Sequence, residues 1–390
     1  MNTIEQFNDH VMPTYGRYDL VLEKGENRTA VDENGKEYID FGSGIGTNSL
    51  GFCDEDWVNA ICDQAHKIQH TSNYYYTKVQ ADFAEKLCDI TGYSKMFFAN
   101  SGAEANECAI KLARKYSFDK YGKGRSIIIT LVNSFHGRTL ATLSATGQEV
   151  FHNYFFPFVE DFVNVIANDI DDFMEKLNKY EDHVCAVMFE CVQGEGGVIP
   201  LEQSFVNTIV AECAKRDILT ICDEVQTGVG RTGKFLASEN YNVKPNITTL
   251  AKGLAGGVPI GACLADERCC DVLSKGTHGS TFGGNPISCA GGNAVLNKVT
   301  SEGFLDEVVK KGEYFREKLA DIPEVEGVDG MGLMIGVRLK TKTAADICKA
   351  CLDNGLLILT AKEKLRFLPP LTITYDEIDK GIEILKTVLK

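Results

Sequence analysis

Short apolar runs alternate with longer amphipathic stretches through the middle of this chain, and this alternation restricts the fold more than any other feature. Six runs have the composition of strands buried on both faces: KMFFAN, SIIITLV, VCAVMFE, LTICDEV, ITTLAK and IGACLA. Between several of them lie helical patterns: EANECAIKLARKYSFDKYG, DIDDFMEKLNKY and SFVNTIVAECAKRDI. Strands that alternate with helices predict an α/β fold with a mainly parallel sheet covered by helices. From about Gly303 onward, the pattern predicts a smaller α+β domain.

Length and charge exclude several classes of protein. A chain of 390 residues suits a large domain with a smaller partner domain. The formal net charge of −15 argues against nucleic acid as a partner, because binding phosphates requires an excess of basic residues. No run approaches the roughly 18 apolar residues of a membrane helix, and no long apolar stretch precedes Arg17. We therefore expect neither membrane insertion nor a secretory signal.

Cysteine usage favours a cytoplasmic protein. The 14 cysteines are scattered through predicted strands and helices, which is typical of reduced, buried thiols. Cys348 and Cys351 have CxxC spacing, but a zinc or redox site would need a second pair or a strand-to-helix turn before them. We interpret this segment as a buried helix that ends near Gly355, and we expect no metal site.

Ligands of open α/β sheets bind beyond the carboxyl ends of the strands, so the residues at those ends are the first candidates for a site. After KMFFAN, Ser101 and Glu104 fit a capping box, which alone could explain both residues. Gly102 and Ala103 leave the start of the following helix unobstructed, and bare backbone N–H groups there can bind an anion.

Two further strand ends carry polar or aromatic residues. After SIIITLV, Phe135 could lie against a planar ring and Arg138 could clamp a carboxylate, although a core aromatic and a surface charge are equally simple interpretations. After VCAVMF, the segment ECVQGEGG places Glu190, Gln193 and Glu195 among glycines. Either the wall of a polar pocket or a tight solvated turn would explain that composition.

Asp223 ends a strand so apolar that the carboxylate would be costly to bury without a partner, such as a protonated ring nitrogen or a structural cation. The next residues contain a near match to a phosphate-binding loop, GVGRTGKF from Gly228 to Phe235. Phe235 occupies the position of the hydroxyl residue that binds magnesium, and the glycines do not follow the strand directly. A nucleotide-binding protein is therefore the weaker alternative.

Lys252 lies in TLAKGLAGG, at the end of the next apolar run. A solvated lysine at a strand end would be ordinary, but a buried one has a lowered pKa and can condense with an aldehyde. An anion site, an aromatic surface, a strand-end aspartate and a strand-end lysine together match what pyridoxal phosphate requires. A non-catalytic interaction protein would leave Asp223 and Lys252 without an explanation.

The segments NSGAEANECAIKLARK, FHGRT, DEVQTGVGRTG and TLAKGLAGGVPIGA resemble the class III, or ornithine-type, aminotransferases. The resemblance covers essentially the whole chain and implies fold type I of the pyridoxal-phosphate enzymes. It implies an N-terminal segment at 1–50 that packs with the small domain, a large cofactor-binding domain at 51–285 and a small domain at 286–390. Two departures from the family pattern are Cys191, where a proline is common, and GFCDED, which replaces a histidine-containing turn.

The resemblance also implies roles for individual residues. Lys252 and Asp223 would be catalytic, with Lys252 bonded to the cofactor and Asp223 against its ring nitrogen. The cofactor contacts would be Ser101, Gly102, Ala103, Phe135, Asp223, Val225, Gln226, Lys252 and Thr281. Thr281 would reach the phosphate bound by a neighbouring subunit, which requires a homodimer with shared active sites. The substrate contacts would be Arg138, Ser280, Glu195 and Arg366, and Tyr15 is a further candidate at the mouth of the site.

The opening segment and LRFLPPLTIT resemble the subgroup that acts on N-acetylornithine. The implied reaction transfers the terminal amine of that donor to 2-oxoglutarate, in arginine biosynthesis. Arg138 would bind the donor carboxylate, and Glu195 would cover Arg366 until the keto acid enters. Ornithine, succinylornithine, acetyllysine, succinyldiaminopimelate and 4-aminobutyrate are alternative donors within the family.

Overall fold

The computed structural model describes residues 2–390. These residues form twelve α-helices: α1 Thr3–His10, α2 Ser43–Gly46, α3 Glu55–Ala65, α4 Lys78–Thr91, α5 Gly102–Tyr121, α6 Leu140–Ala145, α7 Ile170–Lys179, α8 Gln203–Lys215, α9 Pro286–Val299, α10 Phe304–Ala320, α11 Ala344–Asp353 and α12 Tyr375–Leu389. None of the helices in this range combines the length and apolar character needed to cross a bilayer.

The same range forms seventeen strands: β1 Leu22–Glu26, β2 Thr29–Asp32, β3 Glu37–Asp40, β4 Lys95–Ala99, β5 Ile127–Leu131, β6 Phe162–Val165, β7 Val184–Phe189, β8 Val192–Gln193, β9 Ile199–Pro200, β10 Leu219–Asp223, β11 Ile247–Leu250, β12 Gly261–Ala265, β13 Val325–Met331, β14 Met334–Leu339, β15 Leu356–Leu357, β16 Leu359–Ala361 and β17 Lys364–Phe367.

Seven strands form the central sheet in the order β4-β12-β11-β10-β7-β5-β6. In this sheet β12 alone runs antiparallel to its neighbours, which confirms the expected mainly parallel arrangement. β7, β10, β11 and β12 are buried along their whole length, as their apolar runs predict. The prediction was wrong for β4, which is only partly buried because it lies at an edge of the sheet. β6, at the other edge, was not predicted.

The N- and C-terminal parts of the chain share sheets. β15 pairs in parallel with β3, so the order of this sheet is β1-β2-β3-β15. A second sheet, β13-β14-β17-β16, is antiparallel and is built entirely from the C-terminal part. The pairing of β3 with β15 agrees with an N-terminal segment that packs on a C-terminal α+β region. The division at residues 50 and 285 stays a prediction.

The direction of the strands collects the candidate residues at one edge of the central sheet. β10 pairs in parallel with β7 on one side and with β11 on the other, with Asp223 opposite Thr249. The residues that follow these strands therefore leave the sheet at the same edge, and Lys252 lies just beyond β11. α5 begins there too, because β4 is antiparallel to β12 and ends where β12 begins, with Ala99 opposite Gly261.

Arg231 explains the near match to a phosphate-binding loop. Its guanidinium is buried, and its Nη1 donates to the carbonyl oxygens of Leu333 and Pro369. Burial lowers the pKa of Arg231 to about 9, although Asp40 opposes this shift. Lys234, which a phosphate-binding loop would direct at the ligand, is exposed. The segment therefore joins the loop after β10 to the C-terminal strands.

Cys348 and Cys351 lie in α11, which ends at Asp353 as predicted. Both are free, buried thiols that pack in the apolar core, and burial raises the pKa of each to about 12. Their i, i+3 spacing places both on the inner side of one helix, where thiols behave as small apolar groups. The interpretation of this segment as a helix that carries two buried thiols is confirmed.

Arg231→Ala is expected to lower the melting temperature by roughly 5 °C, because two buried carbonyl groups lose their donor. Arg338→Ala is the matched control, since Arg338 is exposed on β14 and paired with Glu326 at 3.1 Å. Differential scanning fluorimetry of both variants would measure the effect. Equal melting temperatures for the two variants would contradict a joining role for Arg231.

Candidate active site

A cavity of about 430 Å³ opens at the carboxyl edge of the central sheet. That volume falls within the range of small-molecule sites, about 300–1,000 Å³. Ten residues singled out from the sequence line it: Ser101, Gly102, Ala103, Phe135, Arg138, Glu195, Asp223, Val225, Gln226 and Lys252. The structure thus brings together residues from Ser101 to Lys252, because they follow the ends of neighbouring strands.

Lys252 opens a short 3₁₀ turn, Lys252–Ala255, directly after β11. Its φ of 45° lies in the left-handed region, which a non-glycine residue adopts only at an energetic cost. Withdrawal from water lowers the pKa of the Lys252 amine, and Arg366 lowers it further, whereas Glu195 and Asp223 oppose the shift. A strained backbone and a lowered pKa are what a lysine held ready as a neutral nucleophile requires.

Asp223 is held by three donors. Its Oδ1 accepts from the backbone N–H of Val225 at 3.0 Å, and its Oδ2 accepts from Asn106 Nδ2 at 2.7 Å and His136 Nδ1 at 2.8 Å. Because a carboxylate oxygen accepts in this bond, His136 donates it from an N–H on Nδ1. Thr249 in turn donates to Asn106 Oδ1 at 2.7 Å. This network fixes the carboxylate in one orientation in the cavity wall.

The start of α5 forms another part of the wall. Ser101 caps the helix by accepting from the N–H of Glu104 at 3.2 Å. The expected capping box is only half formed, since Glu104 accepts from the backbone N–H of Asn100 at 2.7 Å. The first N–H groups of a helix have no partner within the helix, so Gly102 and Ala103 present free donors there. A Cβ at Gly102 would lie 2.6 Å from Val225, so the backbone approaches that side chain closely.

Arg366, on β17, contacts two residues of the cavity wall from the C-terminal region. Its Nη1 donates to Glu195 Oε1 at 2.6 Å and to Gln226 Oε1 at 3.1 Å, and it is only 3% exposed. Burial acts to raise the pKa of Glu195, but the charge and hydrogen bond of Arg366, together with Lys252 and Gln226, lower it. Arg366 Nε has no hydrogen-bond partner within residues 2–390. The guanidinium thus retains capacity for another acceptor.

Arg138 lies at the rim of the cavity without an acidic partner in the described chain. Its guanidinium stacks over Phe151 with 4.0 Å to the ring centroid, and it lies 5.5 Å from that of Phe135. The two rings pack edge to face with centroids 6.0 Å apart. Aromatic stacking therefore orients Arg138 while its charge stays free to bind a carboxylate.

Four of the candidate residues do not line this cavity, and one of them is Arg366, which contacts the lining residues Glu195 and Gln226. Ser280 lies nearby, where its Oγ accepts from Asn100 Nδ2 at 3.0 Å. Thr281 is exposed, and Tyr15 is 74% exposed in a separate groove beside α1. Their expected contacts with cofactor or substrate stay predictions.

Sequence reasoning missed Asn106 and gave no role to His136, yet both line the cavity. Glu190 lines it as well, which agrees with the interpretation of ECVQGEGG as the wall of a pocket. Asn106 carried the clearest signal, because a polar side chain occupied the apolar face of a predicted helix. Cys191, the departure from the family pattern, is fully buried with its Sγ 3.6 Å from Cys222 Sγ. It fits behind the cavity without taking part in its lining.

The residues present fit pyridoxal phosphate. An enclosed lysine with a lowered pKa, a fixed carboxylate, free N–H donors at a helix start and apolar faces on Phe135 and Val225 all border one cavity. Lys252 would hold the aldehyde, Asp223 the ring nitrogen, and Gly102 and Ala103 the phosphate. The fold and this set of groups define a pyridoxal-phosphate-dependent transferase.

Comparison with known proteins identifies the family. Residues 11–389 match the family described as Aminotransferase class-III. The chain is 50% identical to the acetylornithine aminotransferase of Haemophilus ducreyi, over 98% of this chain and 96% of that protein. The ornithine aminotransferase structure from Toxoplasma gondii has a TM-score of 0.94 at 31% identity, covering 99% of this chain and 94% of that one. The N-acetylornithine aminotransferase structure from Stenotrophomonas maltophilia has a TM-score of 0.86 at 33% identity, covering 99% and 98%.

The chain belongs to the class III aminotransferases. It is therefore an enzyme of pyridoxal-phosphate fold type I, and pyridoxal phosphate is its cofactor. The expected fold class, family and cofactor are confirmed, and the nucleotide-binding alternative was wrong.

Asp223→Asn is expected to weaken pyridoxal-phosphate binding at least about tenfold, because a charge-assisted hydrogen bond to the ring nitrogen is lost. Asp266→Asn is the matched control, since Asp266 is also a buried aspartate at a strand end but does not line the cavity. Spectrophotometric titration of the apoenzyme measures both affinities. An unchanged affinity in Asp223→Asn would contradict the assignment.

Proposed function

We propose that the enzyme transfers the terminal amine of N-acetylornithine to 2-oxoglutarate, giving N-acetylglutamate 5-semialdehyde and glutamate, a reaction of arginine biosynthesis. Acetylornithine aminotransferases are 40–50% identical to this chain along nearly its whole length, which supports this choice of donor. The observation that carries the proposal is the unequal state of two arginines, one that lines the cavity and one that lies behind two of its lining residues. Arg138 is free, whereas Arg366 is covered by Glu195.

The two arginines suit two substrates that enter in turn. The donor has one carboxylate, which Arg138 binds through its paired N–H groups. Glu195 meanwhile neutralises Arg366, because a buried guanidinium without an acid would be costly beside the uncharged end of the donor. 2-Oxoglutarate has a second carboxylate, which replaces Glu195 at Arg366. Movement of one acidic side chain thus lets the same cavity accept both substrates.

Pyridoxal phosphate, when bound, withdraws electrons from the substrate carbon that carries the amine. The protein positions that carbon and moves its proton. Lys252 Nζ, whose pKa is lowered by burial, would accept this proton and later return it. Asp223 would keep the ring nitrogen protonated, and the donors on Asp223 hold its carboxylate in place. Phe135 and Val225 would exclude water from the two faces of the ring.

The assembly we propose is a cytoplasmic homodimer with shared active sites and with domains at 1–50, 51–285 and 286–390. Large apolar side chains support the dimer, since Tyr74, Tyr76, Tyr154 and Phe282 are each more than half exposed on the single chain. Thr281, next to Phe282, would contact the phosphate in the partner's site. Monomeric proteins seldom expose so many aromatic side chains without an interaction partner.

A panel of amine donors with 2-oxoglutarate tests the proposed reaction most directly. The rate of glutamate formation measures kcat/KM for each donor. We expect N-acetylornithine to give the highest value, and we expect lower values for ornithine, succinylornithine, acetyllysine, succinyldiaminopimelate and 4-aminobutyrate. A higher kcat/KM for any of these other donors would reassign the substrate while leaving the family unchanged.

Arg138→Ala is expected to raise the KM for the amino donor about tenfold or more, because a bidentate bond to its carboxylate is lost. Cofactor affinity should stay within twofold, since Arg138 lies at the rim and none of the proposed cofactor bonds involves it. Steady-state kinetics and cofactor titration measure the two effects. Equal losses in donor and cofactor binding would contradict the role of Arg138 in binding the donor carboxylate.

A further inference from the structure

Glu190 is a buried carboxylate that the proposed reaction does not use. It follows β7 directly, lines the cavity and is only 5% exposed. Within the described residues it forms no ion pair with Lys, Arg or His. A carboxylate withdrawn from water needs strong hydrogen bonds, so the identity of its donors shows what it stabilises.

The two oxygens of Glu190 accept from two different segments. Oε1 accepts from the backbone N–H of Phe135 at 2.9 Å, and Oε2 accepts from that of Gly194 at 3.1 Å. The first segment follows β5 and carries Arg138, while the second lies between β8 and β9 and carries Glu195. One carboxylate therefore bridges the two segments on which the proposed substrate-binding groups are placed.

We propose that Glu190 is a positioning residue that fixes the Arg138 segment relative to the Glu195 segment, and thereby sets the affinity for both substrates. This inference rests on the proposed function, because it assumes that Arg138 and Glu195 bind substrate.

Close packing makes the position of Gly194 consequential. A Cβ at Gly194 would lie 2.4 Å from Gln226 Oε1, the same oxygen that accepts from Arg366. A shift of Gly194 would therefore disturb Gln226 as well as the reach of Glu195 to Arg366.

One further hydrogen bond joins the same two segments. Gln193 Nε2 donates to the carbonyl of Val132 at 2.9 Å, nearer the sheet. The first segment also bonds to Gly147, Thr146, Asn106 and Asp223, none of which belongs to the Glu195 segment. Glu190 is thus the only acidic side chain among residues 2–390 that bonds both segments, and its bonds are to Phe135 itself and to Gly194, the neighbour of Glu195.

Hydrogen–deuterium exchange of the holoenzyme tests the bridge itself. Glu190→Gln replaces one acceptor oxygen with an amide NH₂, so at least one backbone N–H loses its acceptor. We expect peptides covering 132–138 or 192–198 to exchange about tenfold faster, since hydrogen bonds to charged groups are strong.

Glu224→Gln is the matched control. Glu224 is another buried carboxylate, and it accepts from the backbone N–H groups of Ala237 and Ser238, but it does not line the cavity. This variant should accelerate exchange near residues 236–239 and leave both substrate KM values within twofold.

Steady-state kinetics tests whether Glu190 sets the affinity for the substrates. The assay uses whichever donor the enzyme turns over best, so that an error in the proposed donor does not affect the result. Glu190→Gln should raise the KM for the amino donor, the keto acid or both about tenfold, with a smaller change in kcat. Glu190→Asp keeps the carboxyl group but is one methylene shorter, so it can reach only one of the two segments. If Glu190→Gln does not fold, the same exchange and kinetic measurements are made on Glu190→Asp. Unchanged exchange in both segments would overturn the proposal. Faster exchange with both KM values unchanged would overturn it too, because Glu190 would then be only structural.

Discussion

The cost of withdrawing charge from water governs the construction of this site. A mainly parallel sheet directs several strands toward one edge, where Asp223, Glu190 and Lys252 all leave the apolar interior. Each group needs compensation in order to stay there. Asp223 receives it from N–H donors of neighbouring segments. Glu190 also accepts from backbone N–H groups, but burial still raises its pKa to about 7, and burial lowers the pKa of Lys252. The same constraint therefore yields two fixed carboxylates and one reactive amine.

Arg366 extends this principle to substrate selection. It comes from β17, in a sheet separate from the central one, and its burial is compensated by Glu195, whose own pKa it lowers. Because Glu195 lies in a loop and is less buried than Arg366, the acid is the member of the pair that can leave. Arg231 joins the same C-terminal strands to the loop after β10. The hydrogen bonds of Arg231 thus help to hold the C-terminal strands in place beside the cavity.

Much of this arrangement could be predicted from the sequence, because it depends on local patterns. Apolar runs located the central strands, and the residues after them located Asp223 and Lys252. The prediction of burial was wrong for β4, and β6 was not predicted at all. Both strands lie at the edges of the sheet, where burial on one side weakens the apolar pattern. The partners of Asp223 could not be found in this way, since Asn106 and His136 lie on other elements and meet it only in the folded chain. The same holds for Glu190, whose two donors are separated by most of the sequence between β5 and β9.

The central claim is that Lys252 is the one amine placed to bond with the cofactor. Borohydride reduction of the loaded enzyme, followed by proteolysis and mass spectrometry, tests it directly. The account predicts a stable phosphopyridoxyl group on the peptide that contains Lys252 and on no other lysine, exposed Lys234 included. A modified peptide that maps to another lysine, or a fully loaded enzyme that yields no modified peptide, would contradict it.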